Sequence, residues 1–354
     1  METMMRRGAI ITWMVLALAQ MLAGGQARGQ AAEAYKKAPG PCVVQTVLYD
    51  WVDTARNREV PVKIYYPKEE KGPFPVIIFS HGLGGSREGY AYLGNHWASY
   101  GYVSVHLTHK GSDTEVWRGH AEDVMGAMKS AASDWRNAIS RAQDVHFAID
   151  QVTKLNGEEN SPLKGRLDLE HIGMAGHSFG AWTTLAVIGQ GAAALERTPL
   201  RFADPRVKAA IAMSAPVSAA MKGQVDTTYS RIKTPCFHMT GTLDTSPIAD
   251  TPAEDRRIPY DHITGADQYL VTFEGGDHMV FSGVKRQNLA LTGLPRGAGG
   301  EKDAVFQDLI REGSTAFWDA YLRNDEKAKK WLADGGFEAA LGKEGKFEKK
   351  PAGK

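Results

Sequence analysis

Short, nearly continuous apolar runs alternate along the chain with longer stretches of helical spacing. Val76-Ile77-Ile78-Phe79, Tyr102–Leu107 and Ile172-Gly173-Met174-Ala175 are the clearest runs. Runs of this kind suit strands buried on both faces, as in a parallel sheet. Val207–Met213, Pro235–Met239 and Tyr269–Phe273 repeat the pattern later. Near the start, Val43–Val52 and Glu59–Tyr66 flank the polar turn Asp53–Arg58 and predict an antiparallel pair opening the sheet. Helical patterns fill the intervals. Tyr90–Tyr100 carries Trp97 on its apolar side, and residues 136–155 space Ile139, Ala142, Val145, Ile149 and Val152 along one face. Residues 304–323 do the same with Phe306, Leu309, Ile310, Phe317 and Trp318. Strands alternating with helices predict one α/β domain. Its sheet should be mostly parallel and doubly wound, with an antiparallel N-terminal strand pair and helices on both faces. No internal repeat is visible.

The ends of the chain read differently. Arg6 and Arg7 precede the apolar stretch Ile10–Ala23, and small residues lead to Gly29-Gln30-Ala31. This is the pattern of a signal peptide, expected to cover residues 1–31 and to export the mature protein to a periplasm or beyond. Its alternative is an uncleaved membrane anchor. Residues 32–42 read as a flexible leader, 43–335 as the domain, and 336–354 as a loosely held Lys- and Gly-rich tail. Within the domain, residues 110–135 follow a strand yet are polar, and carry Trp117, Met125, Met128 and Trp135. They read either as a lid or cap insertion roofing an apolar acyl pocket or as a long loop whose side chains seal the core.

Composition narrows the possibilities. The chain is 43% hydrophobic and 23% charged over 354 residues, which is ordinary globular usage. Its formal net charge of +1 leaves no electrostatic footprint for nucleic acid. Beyond the N-terminus no stretch is apolar enough to span a bilayer. There is no convincing metal-ligand spacing, and neither a metal nor an organic cofactor is expected. The two cysteines, Cys42 and Cys236, either form a disulfide in the exported protein or stay separate.

One motif carries chemistry. Gly176-His177-Ser178-Phe179-Gly180 follows an apolar run and precedes the helical stretch Ala181–Ile188. A strand, a G-x-S-x-G turn and a helix make a nucleophile elbow, which presents the serine hydroxyl in a tight turn. A serine needs a base, and the base an orienting carboxylate. His278 lies on a loop after the Tyr269–Phe273 run, across a Gly-Gly turn, and is the candidate base. Asp244 ends the run from Pro235 across a Gly-containing turn and is the candidate acid. The order Ser178, Asp244, His278 suits this elbow. An oxyanion needs two donors. The N–H of Phe179 is one. That of Leu83, in the Gly-rich loop His81-Gly82-Leu83-Gly84-Gly85, is the other. His81 reads as a support for that loop, His177 as packing, and Asp277 as a turn stabiliser. Trp117, Trp135 and Trp182 are candidate substrate-binding residues. Arg256, Arg257, Tyr260 and His262, in the second insertion Ser246–Gln268, border the leaving-group side in this reading.

These motifs together resemble α/β-hydrolases of the dienelactone-hydrolase-like group, and most of all its platelet-activating-factor acetylhydrolase-like and polyester-hydrolase-like serine esterases. The resemblance spans residues 43–335. It includes Asp53–Val62 with Tyr66-Pro67, Phe79–Arg87, Ala98–Val103, Gly165–Asp168, the elbow and Gly275–His278. It implies Ser178 as nucleophile, His278 as base and Asp244 as orienter, with Leu83 and Phe179 as oxyanion donors and no cofactor. Dienelactone hydrolase itself uses a cysteine where this chain has Ser178. Many relatives have Gly where it has Ala181. The expected activity is hydrolysis of a small-molecule, lipid or polymer ester, with the ester and oligomeric state open. A peptidase or amidase on the same fold, and a non-catalytic binding protein on a hydrolase scaffold, are the alternatives.

Overall fold

The computed structural model describes residues 35–118, 120, 122–191, 202–246, 248, 250–285 and 300–353. The expected signal peptide lies outside them. Among the described residues nine strands form a single sheet: β1 (Val44–Asp53), β2 (Arg58–Pro67), β3 (Phe74–Ser80), β4 (Val103–Leu107), β5 (Leu167–His177), β6 (Val207–Met213), β7 (Cys236–Leu243), β8 (Gln268–Asp277) and β9 (Gly345–Lys350). Their spatial order is β1-β2-β4-β3-β5-β6-β7-β8-β9. β4, β3, β5, β6, β7 and β8 run parallel to one another. β2 is antiparallel to β1 and β4, and β9 to β8. This is the α/β-hydrolase fold.

The apolar runs are strands for the expected reason. In β3, Val76 and Ile78 face one core while Ile77 and Phe79 face the other. β6 splits Ala210 and Ala212 from Ala209, Ile211 and Met213 in the same way. A period of two with both faces apolar leaves no polar side to show water. The helices that matter are α1 (Ala91–Ser99), α2 (Glu115–Arg118), α3 (Val124–Ser133), α4 (Trp135–Gly157), α5 (Phe179–Val187), α6 (Asp303–Leu322), α7 (Glu326–Ala333) and α8 (Gly336–Leu341). α4 and α5 cover one face through Val145, Ile149, Val152, Ala181 and Leu185. α1 and α6 cover the other through Leu93, Trp97, Phe306, Phe317 and Trp318.

Both ends of the domain depart from expectation. The tail is not loose. Residues 336–350 form α8 and then β9, which closes the sheet against β8. Its Lys-rich composition conceals one inward position: Phe347 packs 4.9 Å from the Phe337 ring and 5.7 Å from that of Phe237. The lysines around it suit an exposed edge strand. The described part of the leader is pinned as well. Tyr35 donates from its N–H to Glu312 and from its hydroxyl to Asp319, and Lys36 also reaches Asp319. Gly40 and Cys42 bond to Ser99 at the end of α1. Cys42 and Cys236 are both free thiols. Cys42 adjoins β1 and Cys236 opens β7, six strands away, or roughly 29 Å at the usual spacing. A disulfide needs the two Cα atoms within about 7 Å.

Phe347→Ala should therefore cost about 3 kcal/mol, as for a buried core aromatic. Thermal unfolding checks this; an unchanged midpoint would mean that β9 adds nothing to the domain.

Candidate active site

Three parallel strands end together and deliver the site. Ser178 follows β5 directly and caps α5 with φ of 56° and ψ of −117°. A positive φ is costly for a residue with a Cβ, and here it is enforced by close packing. A Cβ on Gly180 would collide with the Ser80 carbonyl at the end of β3, and one on Gly176 with the Gly180 carbonyl. The strained turn turns the Ser178 side chain to His278, which follows β8.

The hydrogen bonds run in one chain. Ser178 Oγ lies 3.0 Å from His278 Nε2, and His278 Nδ1 lies 2.8 Å from Asp244 Oδ1. Asp244 is fully buried just beyond β7. The hydroxyls of Ser214 and Thr240 donate to its two oxygens at 2.8 Å and 2.9 Å. Desolvation opposes its charge. The Arg256 guanidinium, His278 and Ser214 outweigh that and hold the carboxyl well below the usual carboxylate range.

Sequence reasoning missed this support. Arg256 does not border a leaving-group side. It is buried beneath Asp244, with Nε 3.2 Å from the Asp244 carbonyl and 3.4 Å from Oδ1, and Nη1 3.1 Å from the Ser214 carbonyl. Arg257 instead pairs with Asp261 and Glu348 outside the site, and His262 with Asp226. Tyr260 is buried, its ring set against His238. Ser214 follows β6 with φ of 57°, and its hydroxyl also lies 2.7 Å from His278 Nδ1. A polar residue just past an apolar strand run was its only sequence signal.

Around the serine, the Gly-rich loop occupies the end of β3. Leu83 N–H makes no hydrogen bond among the described residues. Phe179 N–H, at the first position of α5, has no intrahelical acceptor. His81 supports the loop, with Nδ1 2.6 Å from the Gly82 carbonyl and Nε2 accepting from His109 N–H at 3.1 Å. His177 packs, but against the candidate base itself, its ring centroid 4.7 Å from that of His278. The Tyr90 hydroxyl accepts from Gly82 N–H and lies 2.7 Å from His177 Nδ1. Burial, and next the neighbouring His278, push His177 well below its ordinary range. Asp277 accepts from Met279 N–H at 3.0 Å, within the turn that carries His278.

Residues 110–135 lean on the same loop. Gly84 N–H bonds to the Ser112 carbonyl, and Trp117 Nε1 donates to the Gly84 carbonyl at 2.8 Å. Met128 is buried close to Gly84. Trp182 packs 6.1 Å from the Phe179 ring. Trp135 does not join Trp117 over the loop. It opens α4 with 63% of its surface exposed. Among the described residues no acidic, His or Cys cluster suited to a metal occurs, and no helix is long and apolar enough to cross a membrane.

The buried charge on Asp244 gives a stability prediction. Its carboxyl titrates lower in the folded than in the unfolded chain. Its contribution is therefore complete above about pH 4 and is lost as pH falls. Asp244→Asn leaves Arg256 without its anion and should cost about 3–5 kcal/mol at pH 7. The gap from wild type should narrow by up to ~1.4 kcal/mol per pH unit below about pH 4. Denaturant unfolding at pH 7 and pH 3 measures both; a gap independent of pH would mean that the carboxylate charge is not what the site stabilises.

Comparison with known proteins places this geometry in a family. A family model described as PETase, PET hydrolase-like, matches residues 31–295. Platelet-activating factor acetylhydrolase of Cavia porcellus is 24% identical over 305 residues, covering 77% of this chain and 63% of that protein. The Canis lupus familiaris protein of the same name is 24% identical over 285 residues, covering 73% and 59%. A putative phospholipase A2 of Schizosaccharomyces pombe is 27% identical over 179 residues, covering 39% and 41%. The chain spans about three-fifths of the length of the two acetylhydrolases it matches. With a family model covering most of its length and the fold to match, the chain belongs to the PET hydrolase-like family of α/β-hydrolase enzymes.

Proposed function

We propose that this protein is an exported serine esterase that cleaves carboxylic esters through an acyl-enzyme. The observation that carries the reading is the continuous hydrogen-bonded chain from Ser178 through His278 to the buried Asp244. In this mechanism His278 Nε2 takes the proton of Ser178 as Oγ attacks the ester carbonyl. Asp244 holds the imidazole by Nδ1–H and offsets the positive charge it gains. The N–H groups of Leu83 and Phe179 receive the tetrahedral oxyanion. His278 then protonates the leaving alkoxide. Water, activated by His278, releases the acid and restores Ser178. No step requires a metal or an organic cofactor.

The matched family and relatives are named for hydrolysing PET, platelet-activating factor and phospholipid, and all of these are esters. That supports an ester of a small molecule, lipid or polymer as substrate here. Trp117 and Trp182, set beside the two proposed donors Leu83 and Phe179, are the side chains best placed to meet its acyl part. Export rests on the sequence pattern of residues 1–31 alone.

The test is hydrolysis of p-nitrophenyl esters of increasing acyl length by the wild type and Ser178→Ala, with matched p-nitroanilides alongside. Turnover of the esters should fall on the order of a million-fold in the variant. Equal activity in both proteins would remove Ser178 from the reaction, and faster turnover of the anilides would turn the reading toward an amidase.

A further inference from the structure

Behind the two proposed oxyanion donors lies a cation that the mechanism above does not use. Arg141, on α4, is fully buried. Its Nη2 donates to the carbonyl of His81, two residues before Leu83. Its guanidinium carbon lies 4.5 Å from the centre of the Phe179 ring. One side chain therefore touches both segments that supply the donors: the loop after β3 and the first residue of α5.

Arg141 is also poorly compensated. Its Nε and Nη1 have no hydrogen-bond partner among the described residues, and Asp144 and Asp113 favour its charge only through space, without a salt bridge to it. Asp144, one turn along the same helix, is already engaged. It accepts from Arg58 at 2.8 Å and 2.9 Å, and from His109 Nδ1 at 3.0 Å. His109 in turn meets the Ser80 hydroxyl at 2.9 Å. Next to Arg141, His81 stays neutral, because burial and the guanidinium both hold its proton affinity well below the ordinary range. A buried cation with no carboxylate in contact and with unused donors works against folding. Replacing such a group with an apolar side chain of similar size is often neutral or stabilising. A purely structural role therefore explains this arginine poorly.

We infer that Arg141 is a positioning residue for the oxyanion hole: it locks the His81–Leu83 loop to Phe179 and supplies a fixed positive charge that favours the anionic intermediate. The inference rests on the esterase reading and deepens it. Negative charge appears at the substrate oxygen only as Ser178 attacks. A preset charge on a buried side chain therefore lowers the barrier more than it aids substrate binding. The cation–π contact and the bond to the His81 carbonyl fix the direction of the two N–H groups, which must converge on one point.

The experiment compares wild type, Arg141→Met, Arg141→Lys and Ser178→Ala. Steady-state kinetics on a p-nitrophenyl ester are measured alongside thermal unfolding. Arg141→Met is expected to lower kcat on the order of 100-fold. KM should stay within about threefold, the effect of losing an interaction made only in the transition state. Its unfolding midpoint should equal or exceed that of wild type. Arg141→Lys keeps the charge without the planar stack, and should recover part of the lost kcat. Three outcomes overturn the inference while leaving the esterase reading intact: an unchanged kcat in Arg141→Met, a loss carried by KM together with a lower midpoint, or a lysine variant no better than methionine. If Arg141→Met fails to fold, Arg141→Lys decides alone, since a folded lysine variant with full activity refutes the need for the guanidinium and a lower kcat at unchanged KM supports it. Absence of Ser178-dependent activity in the wild type would instead overturn the esterase reading beneath it.

Discussion

The structure turns on one steric contact. The backbone of Gly180 presses on the Ser80 carbonyl, and Gly176 on Gly180, so closely that neither glycine has room for a Cβ. This joins the end of β3, the end of β5 and the start of α5 at a single point. It forces Ser178 into a positive φ and brings the Gly-rich loop alongside it. The rest of the site is arranged around that point. β7 and β8, further along the same parallel sheet, end on the same side and deliver Asp244 and His278. Parallel strands make this possible, because their carboxyl ends all open on one edge.

The polar side chains at this edge fall into two buried groups, one behind each half of the proposed chemistry. Ser214, Thr240 and Arg256 surround the buried Asp244 and favour its charged form. His81, His109, Arg141 and Asp144 lie under the loop that carries Leu83. Tyr90 and His177 connect the two, since Tyr90 meets the Gly82 N–H and His177 stacks on His278. Most of these groups are satisfied by hydrogen bonds, which is what rigid positioning in a low-dielectric interior requires. Arg141, with two unused donors, and His177, with Nε2 unpaired, are exceptions among the described residues.

How much of this was legible in the sequence follows from what each residue depends on. The strands were legible because a sheet buried on both faces leaves continuous apolar runs, as at Val76–Phe79. Chain order and the turns that close strand runs singled out Ser178, Asp244 and His278 as candidates, and their side chains lie in one hydrogen-bonded chain. Arg256 and Ser214 were not legible as supports. A buried arginine reads locally like any charged residue in an insertion, and only packing against Asp244 gives it meaning. Arg141 lay hidden in the same way within an amphipathic helix. The tail was misread because its lysines outnumber its apolar residues, and a single inward Phe347 is too little for a period of two to show. Trp135 was grouped with Trp117 because both are large and apolar. The start of α4 leaves one of them on the surface.

The central claim is that Ser178, activated by its hydrogen-bonded neighbours, is the nucleophile. The most direct measurement is intact mass and peptide mapping after treatment of the protein with a fluorophosphonate. One adduct per chain, mapped to the peptide carrying Ser178 and absent when Ser178 is replaced by alanine, is the predicted result. An unlabelled protein, or an adduct on another residue, would contradict it.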